Sequence, residues 1–303
     1  MLPRIALLCV ALFATSAFAT AQQPESKPEV KADTKTGGRA ETKPDAPIIP
    51  AGAERHYRQG LMSEKDKETQ EAVSEYRAAI KEYPDYFEAR YRLGNLLLDQ
   101  KGYADAIAQL KEAARLKPSD AEVHNDLGYA YKKNGDPKAA EAEYREALRL
   151  NPRLASAYSN LGNLLYARRD YNGAIVEYQQ ALKLQPNNAD IRMNLGTVLD
   201  VTGRTEEAIT EYRQAIKLQP SNANARYNLG IAYKNKHDLT SAITELKEAA
   251  RLAPDWPTPH LVLLQMLKDS DPKSALDECM TADGLTHDAK LHDECLELQK
   301  KTQ

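Results

Sequence analysis

The side chains most able to do chemistry in this sequence are two histidines and a cysteine near its end. His287, His292 and Cys295 include a His-x-x-Cys pair, and imidazole and thiolate are ligands that zinc prefers. The spacing of the two histidines does not place them on one face of a helix, and no fourth ligand is evident. We therefore expect no metal site. The sequence also shows no phosphate-binding glycine loop and no nucleophile elbow, so we expect neither a cofactor nor an enzyme.

Three asparagines form the most informative polar pattern. Asn160, Asn194 and Asn228 follow one another at steps of 34 residues. A side-chain amide offers both a donor and an acceptor, as a peptide backbone does, so a row of amides on one face suits an extended chain. An equally weighted alternative is structural, with each amide satisfying neighbouring backbone or lying in water. Both interpretations require a scaffold that repeats with the same period.

Such a period of 34 residues runs through most of the sequence. Glycine marks it at residues 60, 94, 128, 162, 196 and 230, and proline marks it at residues 84, 118, 152, 186, 220 and 254. A third series is always Tyr or Leu: Tyr76, Leu110, Tyr144, Tyr178, Tyr212 and Leu246. In one period, Gly135 ends a first amphipathic helix, Asp136 caps a second, and Pro137 opens it. The pattern predicts antiparallel helix pairs that stack on one another.

This pattern resembles the tetratricopeptide repeat, a helix-turn-helix unit of 34 residues. The resemblance implies an all-α solenoid, a right-handed superhelix of antiparallel helix pairs. Units are expected to begin near residues 53, 87, 121, 155, 189 and 223, with a degenerate seventh at 257, so that the array spans 53–282 and a capping helix spans 283–303. The first unit is imperfect at Gln59 and Ser63. The seventh has Leu264 in the glycine position and a shortened loop around Ser270-Asp271-Pro272.

The resemblance also implies a binding groove. In arrays of this family the first helix of each unit lines the concave face, and the fifth, sixth and ninth residues of each unit point into it. By that analogy the groove residues are Asn160, Asn194, Asn228, Asn95, Asn163, Tyr57, Tyr91, Tyr129, Tyr227, Arg58 and Arg92. Arg and Tyr are enriched in binding hot spots, and ordinary exposed surface is the alternative.

Two modes of peptide binding within the family indicate which kind of ligand to expect. The repeats are similar to the peptide-binding superhelix of O-linked N-acetylglucosamine transferase, which carries an asparagine ladder, and the resemblance is confined to the repeats. Other members clamp a free C-terminal carboxylate with lysine, arginine and asparagine. Asn163 and Asn194 match the amide part of that clamp, but Ser159, Asn224 and Asn228 stand where cations are needed. An adaptor for C-terminal tails is therefore not expected.

The remaining candidates are interpreted structurally. Cys279 and Cys295 fall on the last two predicted helices, either side of a turn expected near residues 282–284. In an exported protein this favours a disulfide across the C-terminal cap, and two free buried thiols are the alternative. His56, His124 and His260 share one place in the first helices of their units, which indicates a packing position, not an active site.

The first 52 residues differ in composition from the array. Residues 1–21, MLPRIALLCVALFATSAFATA, are typical of a signal peptide cleaved near Ala19 or Ala21, with a retained anchor as the alternative. The apolar run is short of the roughly 20 residues that a membrane span needs. Residues 22–52 are rich in Pro, Lys and Glu and poor in bulky apolar side chains, which predicts a disordered linker. We therefore expect an exported protein, periplasmic or secreted, with no membrane span once the signal is removed.

Taken together, these patterns predict a non-catalytic scaffold that binds a protein or an extended peptide in its groove. The net charge of −3 gives no reason to expect nucleic acid. Three alternatives are a structural subunit of an envelope or secretion assembly that uses the convex face or the ends, a substrate-recruiting accessory of a separate modifying enzyme, and a carbohydrate- or wall-binding module. A second copy packed on the C-terminal end would give a homo-oligomer.

Overall fold

The computed structural model describes residues 48–302. The predicted signal peptide and most of the predicted linker lie outside this range. Within it, helices follow one another without a strand: α1 (Ala51–Lys65), α2 (Thr69–Glu82), α3 (Phe87–Asp99), α4 (Tyr103–Leu116), α5 (Ala121–Lys133), α6 (Pro137–Leu150), α7 (Ala155–Ala167), α8 (Tyr171–Leu184), α9 (Ala189–Val201), α10 (Thr205–Leu218), α11 (Ala223–Asn235), α12 (Leu239–Leu252), α13 (Pro257–Leu267), α14 (Pro272–Thr286) and α15 (Ala289–Thr302). The first helix thus begins two residues before the expected array boundary.

The helices pair as the sequence predicts. Odd- and even-numbered helices from α1 to α14 form seven hairpins, and each second helix also packs against the first helix of the next unit. The fold is an all-α solenoid. Because a single hairpin cannot cover its own apolar face, the stacking of neighbours builds the continuous core.

Small residues let the two helices of a unit approach each other. A Cβ atom added at Gly162 would lie 2.8 Å from Cε1 of Tyr178, well inside van der Waals contact. Tyr178 is about 1% exposed, so its ring has nowhere to move. The recurring glycine is therefore required by close packing of the helix axes.

The turn inside each of the first six units contains a left-handed residue. Gly135 and Gly203 supply it with φ values of 86° and 80°. The same place holds Lys67, Lys101 and Arg169 in other units, at φ of 64°, 62° and 64°. A side chain in this region is strained by roughly 1–2 kcal/mol, so these turns are held by the packing around them.

The C-terminal end differs from the expectation in one respect. The turn predicted near residues 282–284 is not there, because α14 continues to Thr286 and the chain reverses at His287, which has φ of 52°. Ala275, Cys279 and Ala282 continue one buried stripe through this helix, which explains why it does not end early. Asp288 then accepts a hydrogen bond from the backbone of Lys290 and starts α15. Cys279 and Cys295 are joined by a disulfide between α14 and α15.

In residues 48–302, none of the helices combines the length and the apolar character that crossing a membrane requires.

Candidate functional site

The first helices of the units lie closest together along the array. Contacts join α3 to α5, α5 to α7, α7 to α9 and α9 to α11 directly. Within residues 48–302, successive second helices such as α4 and α6 are not in comparable contact. Through these units the stack therefore curves towards its first helices. We call the side formed by α3, α5, α7, α9 and α11 the first-helix face.

The predicted asparagines lie on this face and bond to the preceding unit. Nδ2 of Asn160 donates to Oδ1 of Asn125 at 3.0 Å, and Nδ2 of Asn194 donates to Oδ1 of Asn163 at 3.2 Å. Nδ2 of Asn228 is 3.4 Å from Oγ1 of Thr197. We call these three inter-unit bonds the amide seam. These bonds join side chains, whereas the structural alternative placed the asparagines against backbone or in water, and each bond uses one of the two N–H groups of its amide.

The rest of each seam amide is available. The Oδ1 atoms and second N–H groups of Asn160, Asn194 and Asn228 make no hydrogen bond with other described residues. All three side chains are half-buried. Each amide is thus fixed in orientation by its neighbour while it keeps one acceptor and one donor, the same pair of groups that a peptide unit offers.

Buried tyrosines from the second helices bond to the residues that accept the seam hydrogen bonds. The Tyr178 hydroxyl donates to Oδ1 of Asn163 at 2.7 Å, and the Tyr212 hydroxyl lies 3.4 Å from Oγ1 of Thr197. The sequence analysis identified these tyrosines only as large residues that recur with the period. No reliable signal was present, because Leu110 accompanies a polar ninth residue, Asn95, in the second unit, and Tyr76 accompanies Leu61 in the first.

Asp126 holds the place of the seam asparagines in the third unit. Its Oδ2 accepts from the Tyr91 hydroxyl at 2.6 Å and its Oδ1 from Nδ2 of Asn125 at 3.1 Å, while Asn95 donates to it as well. Burial nevertheless raises the pKa of Asp126, because desolvation outweighs these three donors. The predicted groove residues Tyr91 and Asn95 therefore lie together around a carboxylate that the sequence analysis did not single out.

The predicted cationic and aromatic end is less open than expected. Arg58 pairs with Glu54 at 2.7 Å, and Arg92 lies 3.7 Å from Glu64 and also bonds the Tyr57 hydroxyl. The Tyr57 ring packs against Tyr76 and Tyr86, with centroids 5.8 and 5.0 Å apart. Both arginines are exposed, so these ion pairs are weak and a ligand can replace them.

The last two aromatic candidates lie at opposite ends of the seam. The Nζ atom of Lys133 is 5.3 Å from the ring centroid of Tyr129, on α5. Tyr227, on α11, packs against Trp256 with centroids 4.8 Å apart. The structure thus places Tyr129 beside a basic group and packs Tyr227 against Trp256, in the loop before α13.

The histidines and the C-terminal cysteine serve the scaffold. Nδ1 of His56, His124 and His260 lies 2.7, 2.7 and 2.6 Å from a glutamate of the paired helix. Cys295 is bonded to Cys279, and His292 lies 2.8 Å from Asp283. Residues 48–302 contain no group of three or more His, Cys, Asp or Glu side chains arranged for a metal ion.

Sequence comparisons agree with the repeat. Models described as TPR repeat and tetratricopeptide repeat match residues 56–86, 94–135, 121–154, 162–199, 202–237 and 223–255, together more than half of the chain. A search of curated protein sequences gave no significant match.

Solved structures show the same fold. The crystal structure of YrrB, described as a TPR protein with an unusual peptide-binding site, is 25% identical with a TM-score of 0.51, covering 63% of this chain and 96% of its own. PilF of Pseudomonas aeruginosa is 21% identical with a TM-score of 0.61 (69% of this chain, 95% of its own). A repeat protein of Parabacteroides merdae is 14% identical with a TM-score of 0.63 (82% and 99%). This chain belongs to the tetratricopeptide repeat proteins.

Proposed function

We propose that this protein is a non-catalytic scaffold that binds an extended segment of a partner protein along the first-helix face. Asn160, Asn194 and Asn228 would contact the backbone of that segment, and its side chains would fall on the fifth and ninth residues of the units. The repeat fold supports a role in protein–protein interaction, and the peptide-binding site described for YrrB agrees with it.

The observation that carries the proposal is the amide seam. Ordering a flexible side chain on binding costs roughly 0.5–1.5 kcal/mol, which offsets much of a hydrogen bond formed to it. The bond from each amide to the preceding unit holds it in place before any ligand arrives. Because the remaining donor and acceptor repeat once per unit, the face suits main-chain groups and requires little of the ligand's own side chains.

A capture experiment tests this role. The purified chain would be immobilised and exposed to the envelope or secreted fraction of its source cells, beside the triple variant Asn160→Ala, Asn194→Ala, Asn228→Ala. The control removes three exposed amides from the second helices, through Asn172→Ala, Gln179→Ala and Gln214→Ala. We expect wild type and control to retain the same protein and the triple variant to bind it at least tenfold more weakly, since several hydrogen bonds of about 1 kcal/mol each are lost.

A second variant separates loss of the ligand site from loss of the scaffold. The triple variant also removes inter-unit bonds, so its helix content and unfolding temperature must be compared with wild type. Ser159→Arg keeps all three seam amides and places a large side chain among them, at a half-buried fifth position. If Ser159→Arg and the triple variant both retain the partner, the first-helix face is not the binding site. The second helices or the array ends would then carry the interaction, as in an envelope assembly or a recruiting accessory.

Export is a separate proposal, supported by the composition of residues 1–21 alone. A charged start, a short apolar run and small residues at 17–21 favour cleavage by a signal peptidase. N-terminal sequencing of the protein isolated from its source cells should give Thr20 or Gln22 as the first residue. Recovery of the chain with Met1 intact in the cytoplasmic fraction would contradict export.

A further inference from the structure

The amides of the seam repeat once per unit. Asn160, Asn194 and Asn228 each donate one N–H to the preceding unit and keep one acceptor and one donor. Asn194 and Asn228 bond to the ninth residue of that unit, and Asn160 bonds to the fifth. A ligand that bonds to all three amides must therefore present its own donors and acceptors, on one side, at the repeat distance of the units.

That repeat distance follows from the packing of the first helices. Helices α5, α7, α9 and α11 contact one another in succession, with Cα atoms within 8 Å. Helices in such contact have axes about 8–10 Å apart, so equivalent residues of successive units are separated by about the same distance. The seam bonds of 3.0 to 3.4 Å between side chains of neighbouring units agree with this spacing.

One regular backbone conformation matches this distance. An α-helix uses its N–H and C=O groups internally and offers none to the seam. A β-strand rises about 3.3 Å per residue, so two residues fall short of the spacing, and a third reverses the side to which the backbone groups point. A polyproline II helix has three residues per turn and rises about 3.1 Å per residue, so every third residue returns to the same side after about 9.3 Å. Its backbone groups have no internal partners.

Resting on the proposed function, we infer that the first-helix face binds a proline-rich segment in the polyproline II conformation, with every third residue bonded to one seam amide. The residues in contact supply an N–H and so are not proline, whereas the residues between them can be proline. Proline at those places fixes φ near the value that the conformation requires, so the segment loses less conformational entropy when it binds.

Aromatic rings lie near both ends of the seam. In the third unit the ninth residue is the half-exposed Tyr129, and the buried Tyr144 hydroxyl has no hydrogen-bond partner among the described residues. In the sixth unit the half-buried Tyr227 packs against Trp256, with ring centroids 4.8 Å apart. Grooves that bind polyproline II segments are commonly lined by aromatic side chains. The rings of Tyr129 and Tyr227 therefore suit prolines at the two ends of the bound segment.

Two proline-rich peptides that differ in the period of their N–H groups test the inference. Both are acetylated, amidated dodecapeptides. One repeats Gln-Pro-Pro, with an N–H at every third residue, and the other repeats Gln-Pro, with an N–H at every second. In any register the Gln-Pro peptide places a proline opposite at least one seam amide. We expect Gln-Pro-Pro, which has fewer N–H groups, to bind the full chain about fivefold more tightly by isothermal titration calorimetry, because it keeps one more hydrogen bond.

A flexible peptide tests the conformation itself. A dodecapeptide of repeated Gln-Gly-Gly keeps an N–H at every residue but has no preference for polyproline II. We expect it to bind about tenfold more weakly than Gln-Pro-Pro, because its backbone must be ordered on binding.

A single substitution assigns the period to the seam. Asn194→Ala removes the middle amide, the one that faces proline in the best register of the Gln-Pro peptide. The variant should bind the two proline-rich peptides equally, because both then bond through Asn160 and Asn228 alone. The control Asn172→Ala removes an exposed amide from α8 and should keep the fivefold preference. Circular dichroism would show that both variants are folded.

The outcomes separate this inference from the proposal on which it rests. If Gln-Pro binds wild type as tightly as Gln-Pro-Pro, or if the preference survives Asn194→Ala, the three-residue register is wrong. If Gln-Gly-Gly binds at least as tightly as Gln-Pro-Pro and is lost in the triple asparagine variant, the face binds peptides in another conformation, and this inference alone is overturned. If none of the three peptides binds wild type, the peptide-binding role is refuted together with it.

Discussion

Replacement of Asp126 by Asn tests how the first-helix face is built. Asp126 is the only acidic residue among the sixth positions of the first six units, and the next three units carry asparagine there. The substitution would extend the row of amides from three to four. Its side chain keeps the shape of the carboxylate, so the contacts of Tyr91 and Asn125 can be retained with neutral partners.

The direction of the effect follows from the raised pKa of Asp126. Hydrogen bonds from three donors favour the carboxylate, and desolvation opposes it more strongly, so the folded protein holds the proton more tightly than the unfolded chain does. The free energy of unfolding therefore decreases as pH rises from the ordinary carboxyl pKa through the raised one. Removing the charge should stabilise the protein at pH 7 by about 1 kcal/mol, the scale of a single net polar interaction.

Thermal unfolding followed by circular dichroism would measure the change in stability that Asp126→Asn causes. We expect the unfolding temperature of Asp126→Asn to exceed that of wild type by about 2–4 °C at pH 7, as about 1 kcal/mol gives in a chain of this size. The difference should shrink as pH is lowered through the titration of Asp126. Asp269→Asn, an exposed substitution with the same charge change, should give no such difference. A variant less stable than wild type at pH 7, or a gain that does not change with pH, would refute the reasoning.

Three further predictions concern the scaffold. Arg169→Gly removes the strain of a left-handed side chain and should stabilise the protein by about 1 kcal/mol, whereas Gly135→Ala should destabilise it by a similar amount. Chemical denaturation measures both changes. Equal effects of the two variants would contradict the role of the turn. Tyr178→Phe should cost about 1 kcal/mol, because its hydroxyl is bonded, while Tyr144→Phe should be neutral or stabilising in the same assay. Cys279→Ser opens a disulfide that spans 16 residues and should cost about 3 kcal/mol, confined to α13–α15; protease cleavage spread evenly along the array would disagree.

The repeat made the fold predictable. Glycine, proline and large residues at a fixed period each have one role in every unit, so the helix pairs follow from the sequence. The exceptions lie at the ends, where the period fails. Gly284 looked like a turn residue, but the buried stripe of Ala275, Cys279 and Ala282 continues the helix past it. A stripe of small residues is harder to recognise than a glycine.

The contents of the face were only partly predictable. The period places Asn160, Asn194 and Asn228 in one row, but it does not give the distance between units, so it could not show that each amide bonds backwards. The neutralisation of Arg58 by Glu54 follows from their helical spacing of four and could have been anticipated. The burial of Asp126 could not have been anticipated, because it depends on side chains from two units at once.

The amide seam also has a mechanical consequence. Pulling the ends of the array apart must separate successive first helices, and this breaks bonds of 3.0 to 3.4 Å between neutral groups. Units are also linked by ion pairs between a second helix and the turn after the next first helix, such as Glu141 with Arg168 and Glu206 with Lys236, which salt screens. The resistance of the array to stretching therefore has one component that salt weakens and one that it leaves unchanged. The contribution of the amide seam should not fall as ionic strength rises.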